Sequence, residues 1–536
     1  ANIQPLNGSL AFQNLKFNGP ITGKTGNKIS FSGDIERWHI RSAKFPTDIE
    51  VAGGGLSWRG TRIDLQETSV RFGTSTINRL SLGKQWGKIP LLELHADSAD
   101  IQIAELYPWL VSFEALDKMF KGFNATRGKL ALGGLALKGP ADRSGTWQFQ
   151  LAGDLQDLAL ESDHFKAPIY VNQAKFSAVD TPAGDGAHGR FDLIEAQLGW
   201  QDSQISLQGN AAFAADQLRL DLKLAADRLS WEQVNQITGL EKQPGSGEPL
   251  ELLGSLAVEL DHFTYDGFTW RPLHADISFN KDDTRVVVNE ADLCGIRFPG
   301  ILKVSADEFE LHFNPVAENQ NLESSIACLS AKQNLADGTF NLTGELLSKA
   351  KPDAFPKSLT GNLELTAEQG RIYRFGMLAK IFALLNVTEI YRGEVPDLSG
   401  KGFAYNSITA NGAFEDGKLM IEGTSIDSPS MGIAIEGYID LIKKKVNLVV
   451  LVAPFKTVDR IVKKIPLVGT ILGGSLISIP FRAIGDLGNP DVIPLSPTAV
   501  GSGLLGILER TIKLPVTIIQ PVLPGSKDEE SQKKEK

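Results

Sequence analysis

Apolar and polar residues alternate with period two along most of this chain, the pattern of strands with one buried face and one wet face. Gln217 to Leu224 puts Leu218, Leu220, Leu222 and Leu224 on one side and Arg219, Asp221 and Lys223 on the other. Leu256, Val258 and Leu260 alternate with Ala257, Glu259 and Asp261. Met431 to Ala453 reads as a long antiparallel hairpin. Ile433, Ile435 and Ile439 face one way, three lysines (Lys443 to Lys445) break the run, and Val446 to Ala453 returns apolar on both faces, so both need cover. Thr264 to Phe268 carries an Asp-Gly turn. Roughly twenty or more such strands at about 4.8 Å each would make a sheet ~95 Å long, which strongly twisted sheets do not sustain without curling. The expected fold is mainly β: an elongated, twisted antiparallel sheet curled into a groove, with a few short amphipathic helices. Phe375, Leu378, Ile381, Phe382 and Leu385 predict a helix over about 373–386. Others are expected in Ile103 to Phe120, in Leu229 to Ile237, where Ser230 and Gln233 have capping-box spacing, and in Leu504 to Ile512. Val458, Ile461, Val462 and Ile465 form a further stripe, and Ile465 to Phe481 reads as two short strands about a Gly-Gly turn.

The alternation is organised in repeats. Gly8-Ser9-Leu10-Ala11 returns as Gly128-Lys129-Leu130-Ala131 and as Gly254-Ser255-Leu256-Ala257, with a weaker start at Gly361-Asn362-Leu363. A second marker, Trp58-Arg59-Gly60 before a strand, matches Trp200-Gln201-Asp202. A third, Ala96-Asp97 before a helix, matches Ala226-Asp227. Fixed-period similarity marks repeat architecture. The expected organisation is four tandem β units, 1–127, 128–253, 254–360 and 361–524, the last a distinct C-terminal domain, with a disordered charged tail at 525–536.

Composition narrows the function classes. The 536 residues carry a net charge of −10, which argues against nucleic acid as the partner. The seven histidines lack ligand spacing, and neither a metal nor a cofactor is expected. Gly184 to Gly189 matches GxGxxG but leads into an alternating strand, where a dinucleotide site needs a helix N-terminus. No nucleophile, metal or phosphate-loop motif is present, so a non-enzymatic protein is expected. Cys294 and Cys328, the only cysteines, are either one disulfide in an oxidising compartment or two buried thiols. No charge-free apolar run reaches the 18 or so residues of a spanning helix. The chain starts at Ala1, without Met or leader, so any membrane anchor is expected to precede it. Between Glu436 and Pro466, seven basic residues stand against three acidic ones. There Lys456, Arg460, Lys463 and Lys464 flank the apolar stripe and are candidates for contact with anionic headgroups, the alternative being a solvated helix face.

The C-terminal part resembles a known family. Gly370-Arg371-Ile372, Gly402-Phe403-Ala404-Tyr405, Asp427-Ser428-Pro429, Gly437-Tyr438-Ile439-Asp440, Pro466-Leu467-Val468-Gly469 and Asn489-Pro490 occur in an order similar to the C-terminal domain of the AsmA-like superfamily (AsmA/TamB/YhdP-type) of Gram-negative bacteria. The resemblance implies a periplasmic protein, held to the inner membrane by an N-terminal helix absent from this chain. It implies a β-groove that shelters phospholipid acyl chains moving between inner and outer membranes. The groove-lining candidates are Leu218, Leu220, Leu222, Leu224, Leu256, Val258, Leu260, Ile433, Ile435, Leu448 and Val450. The expected partners are phospholipids and the two membranes, with outer-membrane or periplasmic proteins as further candidates. Two other readings stand beside this one. A structural or assembly factor would capture outer-membrane proteins by strand addition. A polysaccharide-binding β-protein is weakened by an aromatic content of 8%.

Overall fold

Side chains that alternate about a pleated backbone need a neighbouring strand on each side, and the chain supplies one by turning back on itself. The structure, a computed structural model, describes residues 3–18, 28–42, 47–87, 90–112, 122–140, 147–162, 165–180, 189–214, 217–238, 251–330, 332–351, 354–373, 376–386, 402–454, 476–512 and 516–518. Contacts divide the chain into two compact units, Ala1–Lys281 and Asp282–Lys536. Both are mainly β and antiparallel with few short helices, consistent with a β-groove fold.

The first unit contains β1 (Ile3–Asn18), β2 (Lys28–Ser42), β3 (Ile49–Ala52), β4 (Gly55–Arg59), β5 (Arg62–Phe72), β6 (Ser75–Gln85), β7 (Leu91–Ala96) and β8 (Ser98–Gln102). Helix α1 (Ile103–Leu110) follows, then β9 (Phe123–Pro140), β10 (Gln148–Ser162), β11 (Ile169–Asp180), β12 (Gly189–Trp200), β13 (Ser203–Phe213), β14 (Gln217–Ala226) and β15 (Leu229–Ser230). Helix α2 (Trp231–Thr238), β16 (Glu251–Leu260), β17 (Phe263–Tyr265), β18 (Phe268–Trp270) and β19 (Leu273–Phe279) complete it. Neighbours pair in chain order, with β3 and β4 sharing one rank and β7 and β8 another. The exception is β14, which lies parallel to β16, with β15 and α2 between the two in the chain. There Gly254 has φ +107°, and a Cβ on it would meet the Leu220 carbonyl oxygen at 1.8 Å, so only glycine fits. Bulges interrupt β9–β10, β11–β12 and β12–β13, and each adds local twist.

Each rim of this sheet collects alternate connections. One, the helical rim, gathers the β5–β6 turn, α1, the β10–β11 connection, the β12–β13 turn and α2. The other, the turn rim, gathers the β4–β5, β6–β7, β9–β10, β11–β12 and β13–β14 connections. The repeat starts Gly8 and Gly128 lie in β1 and β9, which both run from the helical rim to the turn rim, whereas Gly254 lies in β16, which runs the other way. The helices after Ala96-Asp97 and Ala226-Asp227 sit on the same rim. The hairpins marked by Trp58 and Trp200 turn at opposite rims.

The second unit begins with β20 (Asp283–Leu293), β21 (Ile296–Arg297), β22 (Gly300–Ser305), β23 (Phe309–Phe313) and β24 (Val316–Asn321). It continues through α3 (Leu322–Ser330), β25 (Thr339–Ala350), β26 (Thr360–Ile372), α4 (Gly376–Asn386), β27 (Phe403–Glu415), β28 (Lys418–Asp427), β29 (Met431–Asp440) and β30 (Lys445–Pro454). The last elements are β31 (Leu476–Asp486), β32 (Asp491–Pro494), α5 (Ser502–Ile512) and β33 (Val516–Ile518). Cys294 and Cys328 form a disulfide that joins the β20–β21 turn to α3. Helix α4 lays Met377, Leu378, Ile381, Phe382 and Leu385 on one face of β26–β31, against Phe403, Ile433, Ile435, Leu448, Val450 and Phe481. Helix α5 covers the opposite face, with Leu504 and Leu508 on Ala434, Leu451 and Ala453. Here β30 is apolar on both sides because it is the middle of three layers. Beside α4, Tyr405 donates to the Asp337 carbonyl at 2.6 Å and Tyr373 to the Asp337 carboxylate at 2.6 Å, pinning the chain ahead of β25. Burial, with the Asp337 charge, pushes the Tyr405 hydroxyl up to about 12.

Candidate functional site

Residues opposite one another in an antiparallel pair point to the same side of the sheet, so the registers carry a single face across the first unit. Starting from Leu218, Leu220, Leu222 and Leu224 of β14, the face takes in Phe213, Ala211 and Leu207 of β13 and then Phe191, Leu193 and Leu198 of β12. It passes to Val171 and Phe176, to Leu151, Leu155, Leu158 and Leu160, and to Leu130, Leu132, Leu135 and Leu137. It reaches Leu92 and Leu94, Leu82, Leu65 and Leu56 on one side, and Leu256, Val258, Leu260 and Ile277 on the other. Among the paired positions of this face from β2 to β19, the charged side chains are Lys84 and Asp180, and both stand at the turn rim. The opposite face is ionic, with Arg62 bridging Asp64 and Glu93, Lys138 on Glu93, and Lys223 on Glu259.

The apolar face is only half-buried along most of its length. Fully buried clusters form where the two helices touch it. Leu106 of α1 packs with Phe72, Ala99, Ile101 and Leu132, and Val234 of α2 with Ala226, Leu229 and Leu260. Burying one aliphatic side chain fully is worth about 1.5–3 kcal/mol, so rows left half-exposed forgo much of that gain. A contiguous, half-exposed apolar surface makes this face the candidate site.

Hydrogen bonds fix both helices at their rim. The Glu105 carboxylate of α1 accepts from the backbone N–H and hydroxyl of Thr74 and of Ser75, at 2.5 to 3.0 Å. Partial burial pushes the Glu105 carboxyl up, but these four donors outweigh it and hold it below the usual value. Tyr107 donates to the Phe123 carbonyl, and Phe123, Phe165 and Trp200 pack in a row along the same rim, tilted and edge-to-face. Helix α2 starts with the capping box expected from Ser230 and Gln233. Ser230 N–H donates to Gln233 Oε1 at 2.8 Å and Gln233 N–H to Ser230 Oγ at 3.2 Å. Gln233 Nε2 also donates to Ser203 Oγ at 2.9 Å, tying α2 to the β12–β13 turn.

The eleven lining candidates divide between two environments. Leu218, Leu220, Leu222, Leu224, Leu256 and Val258 lie together on the half-buried face, with Leu260 at its closed end under α2. Ile433, Ile435, Leu448 and Val450 are packed beneath α4, between 0% and 8% exposed. Their alternation is the same, and the difference is the helix that covers them. Lys456, Arg460, Lys463 and Lys464 lie outside the described residues, as do the stripe from Val458 to Ile465 and the Gly-Gly turn. Gly189 opens β12, so the GxGxxG stretch does lead into a strand. Among the described residues, no group of three or more His, Cys, Asp or Glu could hold a metal ion, and no helix is long and apolar enough to cross a membrane. Sequence reasoning passed over Leu130, Leu132, Leu135 and Leu151, whose alternation was equally plain, and the rim residues Lys84, Trp86 and Trp147. The second unit has a similar half-buried row in Val286, Val288, Leu302, Leu311, Leu346 and Leu363.

Residues 59–492 match the family model described as YhdP protein. No curated protein and no solved structure matches the chain.

Proposed function

The chain belongs to the YhdP protein family, and from that premise we propose that it carries phospholipids by sheltering their acyl chains on the apolar sheet face, moving them between the inner and outer membranes. At the level of the family, membership supports a non-enzymatic, periplasmic protein of AsmA/YhdP type with a role in lipid transport. The observation that carries the finer reading is the half-buried aliphatic face of the first unit, free of charge at its paired positions except at one rim. A surface lined by aliphatic side chains solvates acyl chains without reading them finely, gaining about 0.8 kcal/mol per CH₂ buried. The residues assigned to the lipid path are Leu218, Leu220, Leu222, Leu224, Leu256 and Val258. An inner-membrane anchor and headgroup contacts from Lys456, Arg460, Lys463 and Lys464 belong to the same proposal.

Native mass spectrometry with lipid extraction tests it. Several phospholipids per chain are expected to co-purify, and Leu222→Asp or Val258→Asp is expected to abolish loading and transfer while circular dichroism stays β-rich. Unchanged transfer in such folded variants would sink the conduit. The strand-addition reading keeps one specific support: among the described residues β1 pairs only with β2, leaving a long sheet edge. Capture of protein partners at that edge depends on backbone donors and would be indifferent to Leu222→Asp.

A further inference from the structure

Lys84 is the cation on an apolar face whose other charge at the paired positions from β2 to β19, Asp180, stands on β11, with β7 to β10 between them. Lys84 stands opposite Ile63 on β5 and Leu92 on β7, in the last ranks before the turn rim. Its ammonium sits 5.1 Å from the centroid of the Trp86 ring. Trp86 in turn stacks on Trp58, with ring centroids 5.8 Å apart and planes 17° from parallel. Further along the same rim, the Trp147 ring lies over Gly139, where a Cβ would meet it at 2.4 Å. Phe213 follows at the end of β13. Trp86, Trp147 and Phe213 are 40%, 37% and 44% exposed, whereas Trp200 at the helical rim is 1% exposed. Trp231 of α2 and Tyr170 are also half-exposed near the helical rim. What sets the turn rim apart is that its indoles belong to the ranks of the apolar face itself, with the Lys84 ammonium among them.

We propose that the turn rim of the first unit is a phospholipid headgroup site, in which Lys84 takes the lipid phosphate and Trp86 and Trp147 mark the boundary between headgroup and acyl chain. This rests on the acyl-chain reading of the face and adds to it an orientation and a headgroup chemistry. Trp is favoured where one end of the ring is in hydrocarbon and the other in water. A lysine rooted in an apolar surface extends its charge to the edge of that surface, where a phosphate can meet it. The dimensions agree. The twelve residues of β12 run from rim to rim, and at about 3.3 Å per residue they span ~35–40 Å, more than the ~15 Å hydrocarbon depth of one leaflet. A chain whose headgroup sits at Lys84 thus ends on the aliphatic rows well short of α1. The alternative orientation would press a charged headgroup into the Phe123–Phe165–Trp200 row.

Two measurements test this. In the first, the delipidated protein is offered phosphatidylglycerol and diacylglycerol of identical acyl chains, and bound species are counted by native mass spectrometry. An exposed ion pair predicts a preference of about two- to five-fold for the phospholipid. Lys84→Met is expected to bring that preference to parity by lowering the phosphatidylglycerol bound to the level of the diacylglycerol. A preference that survives in Lys84→Met overturns the headgroup site. If the wild-type protein holds both lipids equally, the headgroup site fails and the acyl-chain reading stands. If it holds neither, both fail. In the second measurement, tryptophan emission is quenched by phospholipids brominated near the headgroup or deep in the acyl chain. The signal lost in Trp86→Phe and in Trp147→Phe isolates each rim indole. Stronger quenching by the shallow bromines is expected, and stronger quenching by the deep ones would mean that the lipid lies the other way round.

Discussion

Glu105 is a small-scale device with a large consequence, because it fastens α1 to the β5–β6 turn and so closes one end of the apolar face. Four donors converge on its carboxylate from Thr74 and Ser75. Its carboxyl is held below the usual value, so the stability it contributes is fully present above its unfolded value. That stability is lost as pH falls through the depressed folded value. Glu105→Ala is expected to cost about 1 kcal/mol at neutral pH, after discounting for partial exposure. Urea unfolding of wild type and variant should show the gap closing as the solution is taken well below pH 4, and a gap independent of pH would rule the carboxylate out as the clamp. Glu436 has the opposite sign. Burial beneath α5 raises its carboxyl, so its contribution weakens as pH rises through the ordinary carboxylate range. Neither residue could be picked out beforehand. The donors that hold Glu105 lie about 30 positions away in the chain, and nothing in their local pattern announces them.

At the scale of elements, periodicity was a good guide to type and a poor one to surroundings. The helix expected over about 373–386 is α4, Gly376–Asn386, and Leu378, Ile381, Phe382 and Leu385 of the expected stripe are its buried side, while Phe375 lies outside the described residues. Ser230 and Gln233 make their box, and the Met431–Ala453 hairpin is β29 with β30. Helix α3 escaped notice because its nine residues carry only a short apolar stripe between strands. The Trp-marked hairpins look alike in sequence yet turn at opposite rims, because a local match fixes the turn and not the direction of the strand that enters it. Alternation likewise gave Ile433 and Leu222 equal standing as lining residues, although α4 lies over the first and no helix over the second. That contrast is testable by truncation. Ile381→Ala removes a fully buried contact of α4 and is expected to destabilise the second unit by about 2–5 kcal/mol, read from the urea midpoint. The same substitution at Leu222 removes a half-buried side chain and should cost well under half as much, since solvent can fill the gap.

At the scale of the whole chain, the two units taken separately differ in how they satisfy their apolar faces. The second has a three-layered region, with α4 and α5 on opposite sides of the same strands. The first has small buried clusters at α1 and α2 and a long half-buried face between them. The contacts divide the chain between Lys281 and Asp282. The alternation reports that a face is apolar and is silent on what will cover it. If lipid is the missing layer, it binds the folded face and not the unfolded chain, so it must stabilise the first unit by mass action, about 2.7 kcal/mol at a hundredfold excess over the dissociation constant. Hydrogen exchange followed by mass spectrometry, with and without phospholipid, is the measurement. Amides of β9–β14 should slow on loading, whereas those of β29 and β30, already enclosed between α4 and α5, should exchange at the same rate. Equal slowing in both sets would mean that the lipid acts on the protein generally, and no slowing in either would mean that the aliphatic face of the first unit is not where lipid binds.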